Sequence, residues 1–99
     1  MIAVIGSFRL PPEAVERARP PMHAVVAATR AEPGCLDYAY AEDVAERGLF
    51  RVVERWDSRA ALSAHFETAH MRAWVEQRSA LGLFDRRIVS YELGAPEEL

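Results

Sequence analysis

Two runs of strand-forming residues, CLDYAYA at 35–41 and LFRVVERW at 49–56, flank the short acidic segment EDVAERG, and together they read as an antiparallel hairpin. Neither run is cleanly polar on one side. By the two-residue alternation of a strand, Leu36, Tyr38 and Tyr40 point one way, while Cys35, Ala39 and Ala41 point the other with only Asp37 among them. In the second run Phe50, Val52, Glu54 and Trp56 share a face, and Leu49 and Val53 lie opposite with Arg51 and Arg55. A sheet with one solvated face should turn polar on that face. This hairpin instead demands cover on both sides. Burying roughly a few hundred Å² of such surface at about 25 cal/mol per Å² stabilises association by several kcal/mol before entropy is subtracted. The expectation is a homodimer packed sheet against sheet.

The remaining elements fall around the hairpin. MIAVIGSFRL has the β-branched and aromatic content of a strand over residues 2–9, stopped by Pro11-Pro12. Val15, Ala18, Met22, Val25, Val26 and Thr29 keep the three-and-four spacing of one helical face. Pro20-Pro21 removes two helical N–H groups, which predicts a short turn of helix over 12–18 and a regular helix restarting at Pro20. Asp57 or Ser58 can cap a helix through Ala60–Leu62, and Thr68 is a second cap, so the helical region should break near Glu67 and resume through Met71, Trp74 and Val75. A last strand, about 84–93, carries Ile88, Val89, Tyr91 and Leu93. The order strand, helix, strand, strand, helix, strand is the ferredoxin-like βαββαβ arrangement, an α+β fold with one antiparallel sheet and its helices on one face.

At 99 residues the chain is expected to be one domain, with a core over about 1–93 and a loose tail, GAPEEL, at 94–99. No apolar run approaches the roughly 18 residues a bilayer span requires, and the N-terminus lacks a basic leader, so a cytoplasmic protein without a membrane partner is expected. One cysteine, Cys35, cannot form an internal disulfide and reads as a small buried hydrophobe. All 12 basic residues are arginine, scattered among 15 acids for a net charge of −3, so no basic stripe is available for nucleic acid. The histidines and the cysteine lack metal-ligand spacing. There is no glycine-rich phosphate loop and no nucleophile elbow, which leaves flavin, nicotinamide and covalent catalysis without support.

Within ERWDSRAALSAHFETAHMRAW, residues 54–74, several side chains carry chemistry. Glu54 lies between Val52 and Trp56 on the face assigned to the core. Burial there would raise its pKa toward neutrality and make it a proton acceptor or donor. Pairing with Arg9 or Arg72, or a place at the strand's wet end, is the structural alternative. His65 and His70 are five residues apart, about 140° around a continuous helix, but a break at Thr68 would bring both to one pocket mouth. Exposed or capping roles are the alternative for each, and His23 reads as surface. Tyr38, Tyr40, Trp56, Phe66 and Trp74 would line an aromatic pocket between sheet and helices, with core packing as the simpler role for any one of them.

With those residues in place, the chain resembles the antibiotic biosynthesis monooxygenase superfamily of small dimeric α/β-barrel proteins over roughly residues 1–93. The resemblance rests on AATRAEPGCLDYAY, on FRVVERWDSRAALSAHFETAHMRAW and on the short acidic turn between them. It implies a dimeric barrel and a cofactor-independent oxygenation, in which a base deprotonates an electron-rich phenol or hydroquinone and the substrate anion itself reduces dioxygen. Glu54, His65 and His70 match the family's polar pocket positions, and Trp56 matches the tryptophan that ends its third strand. Haem-degrading relatives carry an asparagine on the first strand and a ligating histidine in the last helix; this chain has no asparagine, and Val75 stands at the histidine's position. Haem is therefore not expected. The second reading is a non-catalytic or isomerase-like binder of a small hydrophobic metabolite on the same fold.

Overall fold

The computed structural model describes residues 1–99. Four strands, β1 (Ile2–Arg9), β2 (Cys35–Glu42), β3 (Leu49–Trp56) and β4 (Phe84–Glu92), form one antiparallel sheet in the order β2-β3-β1-β4. Helices α1 (Val15–Arg30), α2 (Arg59–Phe66) and α3 (Ala69–Leu81) complete a ferredoxin-like βαββαβ arrangement whose second helical segment is split in two. The split has a local cause. Ser58 Oγ accepts from the Ala61 N–H at 3.1 Å and starts α2, and Thr68 Oγ1 accepts from the Met71 N–H at 3.3 Å and starts α3. Gly82, at φ 83°, closes α3 in the left-handed conformation that glycine adopts without strain.

α1 departs from the two-piece expectation. After a 3₁₀ turn at Pro12–Ala14 it runs unbroken through Pro20 and Pro21. Its buried face, Val15, Ala18, Met22, Val25 and Thr29, is one continuous stripe, and an interruption would pull half of that stripe off the core. Pro20 is exposed and Pro21 half-buried, so the rings sit away from the packed side. Packing holds the helix straight against the local preference.

The core lies between the sheet and the helices. Phe8, Phe50, Val52, Met71 and Trp74 pack with the α1 stripe, and a second group joins Ile2, Val4, Tyr38, Trp56 and Leu62. β3 alternates as its sequence predicts, with Phe50, Val52, Glu54 and Trp56 buried and Arg51, Val53 and Arg55 exposed. Leu49, at the strand's end, is buried too. In β2 the expected phase fails at one residue. Cys35 pairs with Trp56 and Asp37 with Arg55, which leaves Leu36 as an extra, exposed residue in a bulge. Cys35 consequently sits on the core side, against the second cluster, and Leu36 does not share the face of Tyr38 and Tyr40.

The other sheet face carries a single apolar row across all four strands. Ala39, Val53, Ile5 and Val89 stand side by side in register. Ile5 and Val53 remain 53 % and 45 % exposed, far more than such side chains in a finished core. Rows containing Arg55 on one side and Arg51 and Arg87 on the other border it.

Candidate active site

Glu54 occupies an inner strand, with Val4 of β1 and Tyr38 of β2 directly beside it in register. It is 6 % exposed. Its Oε1 accepts the Trp56 indole N–H at 2.9 Å, and its other oxygen has no protein partner yet is not sealed from solvent. Burial pushes the carboxyl up to about 7, against the opposing pull of the Trp56 hydrogen bond and the charge of Arg86. Neither arginine considered from the sequence reaches it. Arg9 pairs with Glu46 at 2.9 Å, and Arg72 donates to the Glu67 carbonyl at 2.6 Å.

The unsealed side of Glu54 faces a cavity of about 410 Å³ between the sheet and α2–α3. Tyr38, Tyr40, Phe66 and Trp74 contribute to its wall, together with Phe8, Leu62, Met71, Leu83 and Ile88. The hydroxyls of Tyr38 and Tyr40 share a 2.8 Å hydrogen bond, and burial raises the pKa of both. Trp56 is fully buried behind this wall and acts on the cavity only through Glu54 and through its ring, 4.9 Å from that of His65.

The break at Thr68 turns both histidines toward one acid that local sequence patterns do not reveal. Glu32, between α1 and β2, accepts from His65 Nδ1 and from His70 Nε2 on the same oxygen, each at 2.7 Å. With the carboxylate oxygen as acceptor, His65 Nδ1 and His70 Nε2 are the donors of this pair of bonds. His65 borders the cavity and is 1 % exposed, and burial lowers its pKa in spite of Glu32. It is therefore neutral near pH 7, with Nε2 left as a lone-pair site that no protein donor occupies. His70 is partly exposed and does not border the cavity.

Glu32, His65 and His70 are also a donor set for a cation. Their 2.7 Å separations are those of hydrogen bonds; donors about 2.1 Å from a common metal in a tetrahedral site stand roughly 3.4 Å apart. As placed, the three share protons. Sequence reasoning missed Glu32 because its partners lie 33 and 38 residues away. It also passed over three arginines on the cavity wall, Arg59, Arg78 and Arg86. Arg78 had a visible signal, since it continues the Met71–Trp74 stripe at helical spacing, where an apolar residue would be ordinary.

Residues 1–77 match the family model described as antibiotic biosynthesis monooxygenase. The chain belongs to the antibiotic biosynthesis monooxygenase family. Two relatives bear provisional monooxygenase names. YcnE of Bacillus subtilis is 32 % identical over 82 % of this chain and 85 % of its own length, and Rv0793 of Mycobacterium tuberculosis is 34 % identical over 96 % and 90 %. A crystal structure from Deinococcus radiodurans, provisionally assigned to antibiotic biosynthesis monooxygenases, superposes with a TM-score of 0.93 at 27 % identity, covering 100 % of this chain and 98 % of that one. The Rv0793 structure superposes with a TM-score of 0.75 at 32 % identity over 98 % and 96 % of the two chains. No helix of this family member is long and apolar enough to cross a membrane.

Proposed function

We propose that the cavity is the active site of a cofactor-independent monooxygenase that oxidises a small electron-rich aromatic, a quinol or polycyclic phenol, with dioxygen. The observation that carries this reading is Glu54, a buried acid with a pKa of about 7 and one oxygen turned into an aromatic-walled cavity. A base poised near the working pH is both unprotonated often enough to accept a proton and basic enough to take it. The apolar walls exclude water from the carbanion and radical that follow.

For an anthrone the steps balance as follows. Glu54 removes one proton from the ring CH2 group, and the resulting carbanion passes one electron to dioxygen. The radical pair combines into a carbon–oxygen bond, and the peroxide anion recovers the proton from Glu54. Glu54 then takes the second hydrogen of the same carbon as a proton. The O–O bond breaks, hydroxide leaves and is protonated by Glu54, and CH2 has become C=O with release of water. One oxygen atom enters the product and one becomes water, while the substrate supplies the electrons that a flavin would otherwise carry.

His65 is a second base within the cavity, oriented by Glu32 with Nε2 free. The two candidates separate by pH. With Glu54 as base, kcat/KM for oxygen uptake rises through a pKa of about 7; with His65 it rises below the ordinary histidine value, because burial lowers that group. Oxygen consumption with anthrone or menadiol is the direct test, with E54Q expected to lower kcat by about 10²–10⁴-fold. Rates unchanged in both E54Q and H65A remove the enzymatic reading. Tight binding without turnover identifies a binder of a small hydrophobic metabolite instead.

The same reading includes a homodimer in which the row Ala39–Val53–Ile5–Val89 of one copy packs on that of another. The support is physical: this row is apolar, crosses the whole sheet and is uncovered in a lone protomer.

A further inference from the structure

The twelve arginines of this chain differ in their partners. Arg9, Arg19, Arg51, Arg55 and Arg59 lie within ion-pair distance of carboxylates. Arg17, Arg30 and Arg72 donate to backbone carbonyls. Arg47, Arg78, Arg86 and Arg87 do neither, and of these four only Arg78 and Arg86 lie on the cavity wall. Arg78 comes from the last turn of α3 and Arg86 from β4, so two elements distant in sequence deliver two cations to one hollow.

Such an arrangement sets like charges against each other. Arg78 is half-buried, and burial followed by the charge of Arg86 lowers its pKa. A chain with 15 acids has carboxylates to spare, yet the only one on this wall is Glu54, whose hydrogen bond is to Trp56 and which makes no ion pair with either arginine. Two guanidinium groups without an ion-paired carboxylate, facing a space of ligand size beside a cluster of aromatic rings, are complementary to a planar molecule bearing an anion. The third cation, Arg59, does not share this property, since Glu92 and Ser90 Oγ hold it at 3.1 and 3.2 Å.

We propose that Arg78 and Arg86 form an anion subsite for a carboxylate on the aromatic substrate, so that the molecule this cavity takes is a phenolic or hydroquinone carboxylate. The proposal rests on the oxygenase reading for the word substrate, but its recognition step stands apart from turnover. Arg78 and Arg86 fix one end of the ring system by paired N–H···O bonds. The ring then lies along Tyr40 and Trp74, and the carbon that reacts is presented to Glu54.

The test is equilibrium binding to the full-length chain at pH 7.5 and low salt, by isothermal titration calorimetry, with two stable unreactive probes that differ by the anion alone. These are 3-hydroxy-2-naphthoate and 2-naphthol. The carboxylate is expected to bind at least about tenfold more tightly, in keeping with the strength of charge-assisted hydrogen bonds. In R78Q/R86Q that preference should fall below about twofold while 2-naphthol binding is retained. The charge-matched control R17Q/R47Q, at exposed positions away from the cavity, should keep the preference. Equal affinities in the parent protein, binding of neither probe, or a preference that survives R78Q/R86Q overturns the subsite; so does equal loss in R17Q/R47Q, which would assign the effect to overall charge. A preference that behaves as expected with no oxygen uptake from any anthrone or quinol leaves the subsite standing and removes the oxygenase.

Discussion

Trp56 Nε1 donates to Glu54 Oε1 at 2.9 Å, and because the two residues are two apart on β3 the strand itself sets that contact. The bond supports the charged form of the acid, but burial outweighs it and the carboxyl is raised to about 7. Between its ordinary value of 4.5 and about 7, the folded chain therefore holds this proton more tightly than the unfolded one. Stability from this group is full below pH 4.5, falls as pH rises through that window and is flat above it. E54Q keeps an oxygen for Trp56 and has no proton to lose. It should match the parent in stability near pH 4.5 and exceed it by about 2–3 kcal/mol at pH 8, from roughly 1.4 kcal/mol per pKa unit. Urea unfolding at the two pH values checks this, and an equal difference at both would show that the acid is not buried as described.

Glu32 ties the α2–α3 break to the start of β2 through His65 and His70. In E32A the buried Nδ1–H of His65 loses its acceptor, at a cost of about 1–3 kcal/mol. E32Q retains an acceptor oxygen and should lose less, and H70A, which empties a partly exposed position, less than about 1 kcal/mol. Denaturant midpoints of the three variants give the order directly. E32A as stable as the parent would mean that the cluster contributes nothing to the fold.

Pro20 and Pro21 lie at the sixth and seventh positions of α1, where each removes a hydrogen bond to the preceding turn. Replacement of exposed Pro20 by alanine should raise stability by about 1–3 kcal/mol, the gain in helix propensity less the entropy that proline removes from the unfolded chain. Thermal unfolding of P20A reads it. A loss of stability instead would show that the helix depends on the proline's fixed backbone angle.

Ile5 is the centre of the uncovered apolar row. I5E should convert a species of about twice 11.1 kDa into one of 11.1 kDa in sedimentation at micromolar concentration. A parent protein that already sediments as a monomer removes the sheet-to-sheet dimer.

Much of this arrangement is legible in the sequence because it follows from short periods. The alternation in β3 places Glu54 and Trp56 on the buried face, and the Ser58 and Thr68 caps mark where α2 and α3 begin. What escapes is non-local or cooperative. The bulge at Leu36 reverses the phase of a strand by one residue, and no periodic reading of CLDYAY announces it. α1 crosses two prolines because a stripe of five buried side chains outweighs two missing N–H groups. Glu32 meets its histidines only after two-fifths of the chain has folded back, so its local setting, AEPGC, reads as a helix stop and nothing more. Arg78 and Arg86 acquire meaning from what they lack, and a missing partner is visible only in three dimensions.

The register of β3 between β1 and β2 separates two tasks within one hollow. Glu54 belongs to the floor, pinned by neighbours on both flanks, whereas α3 and β4 furnish the rim. Side chains on the rim can be exchanged without disturbing the backbone that aims the acid. A scaffold built this way can change its guest and keep its chemistry.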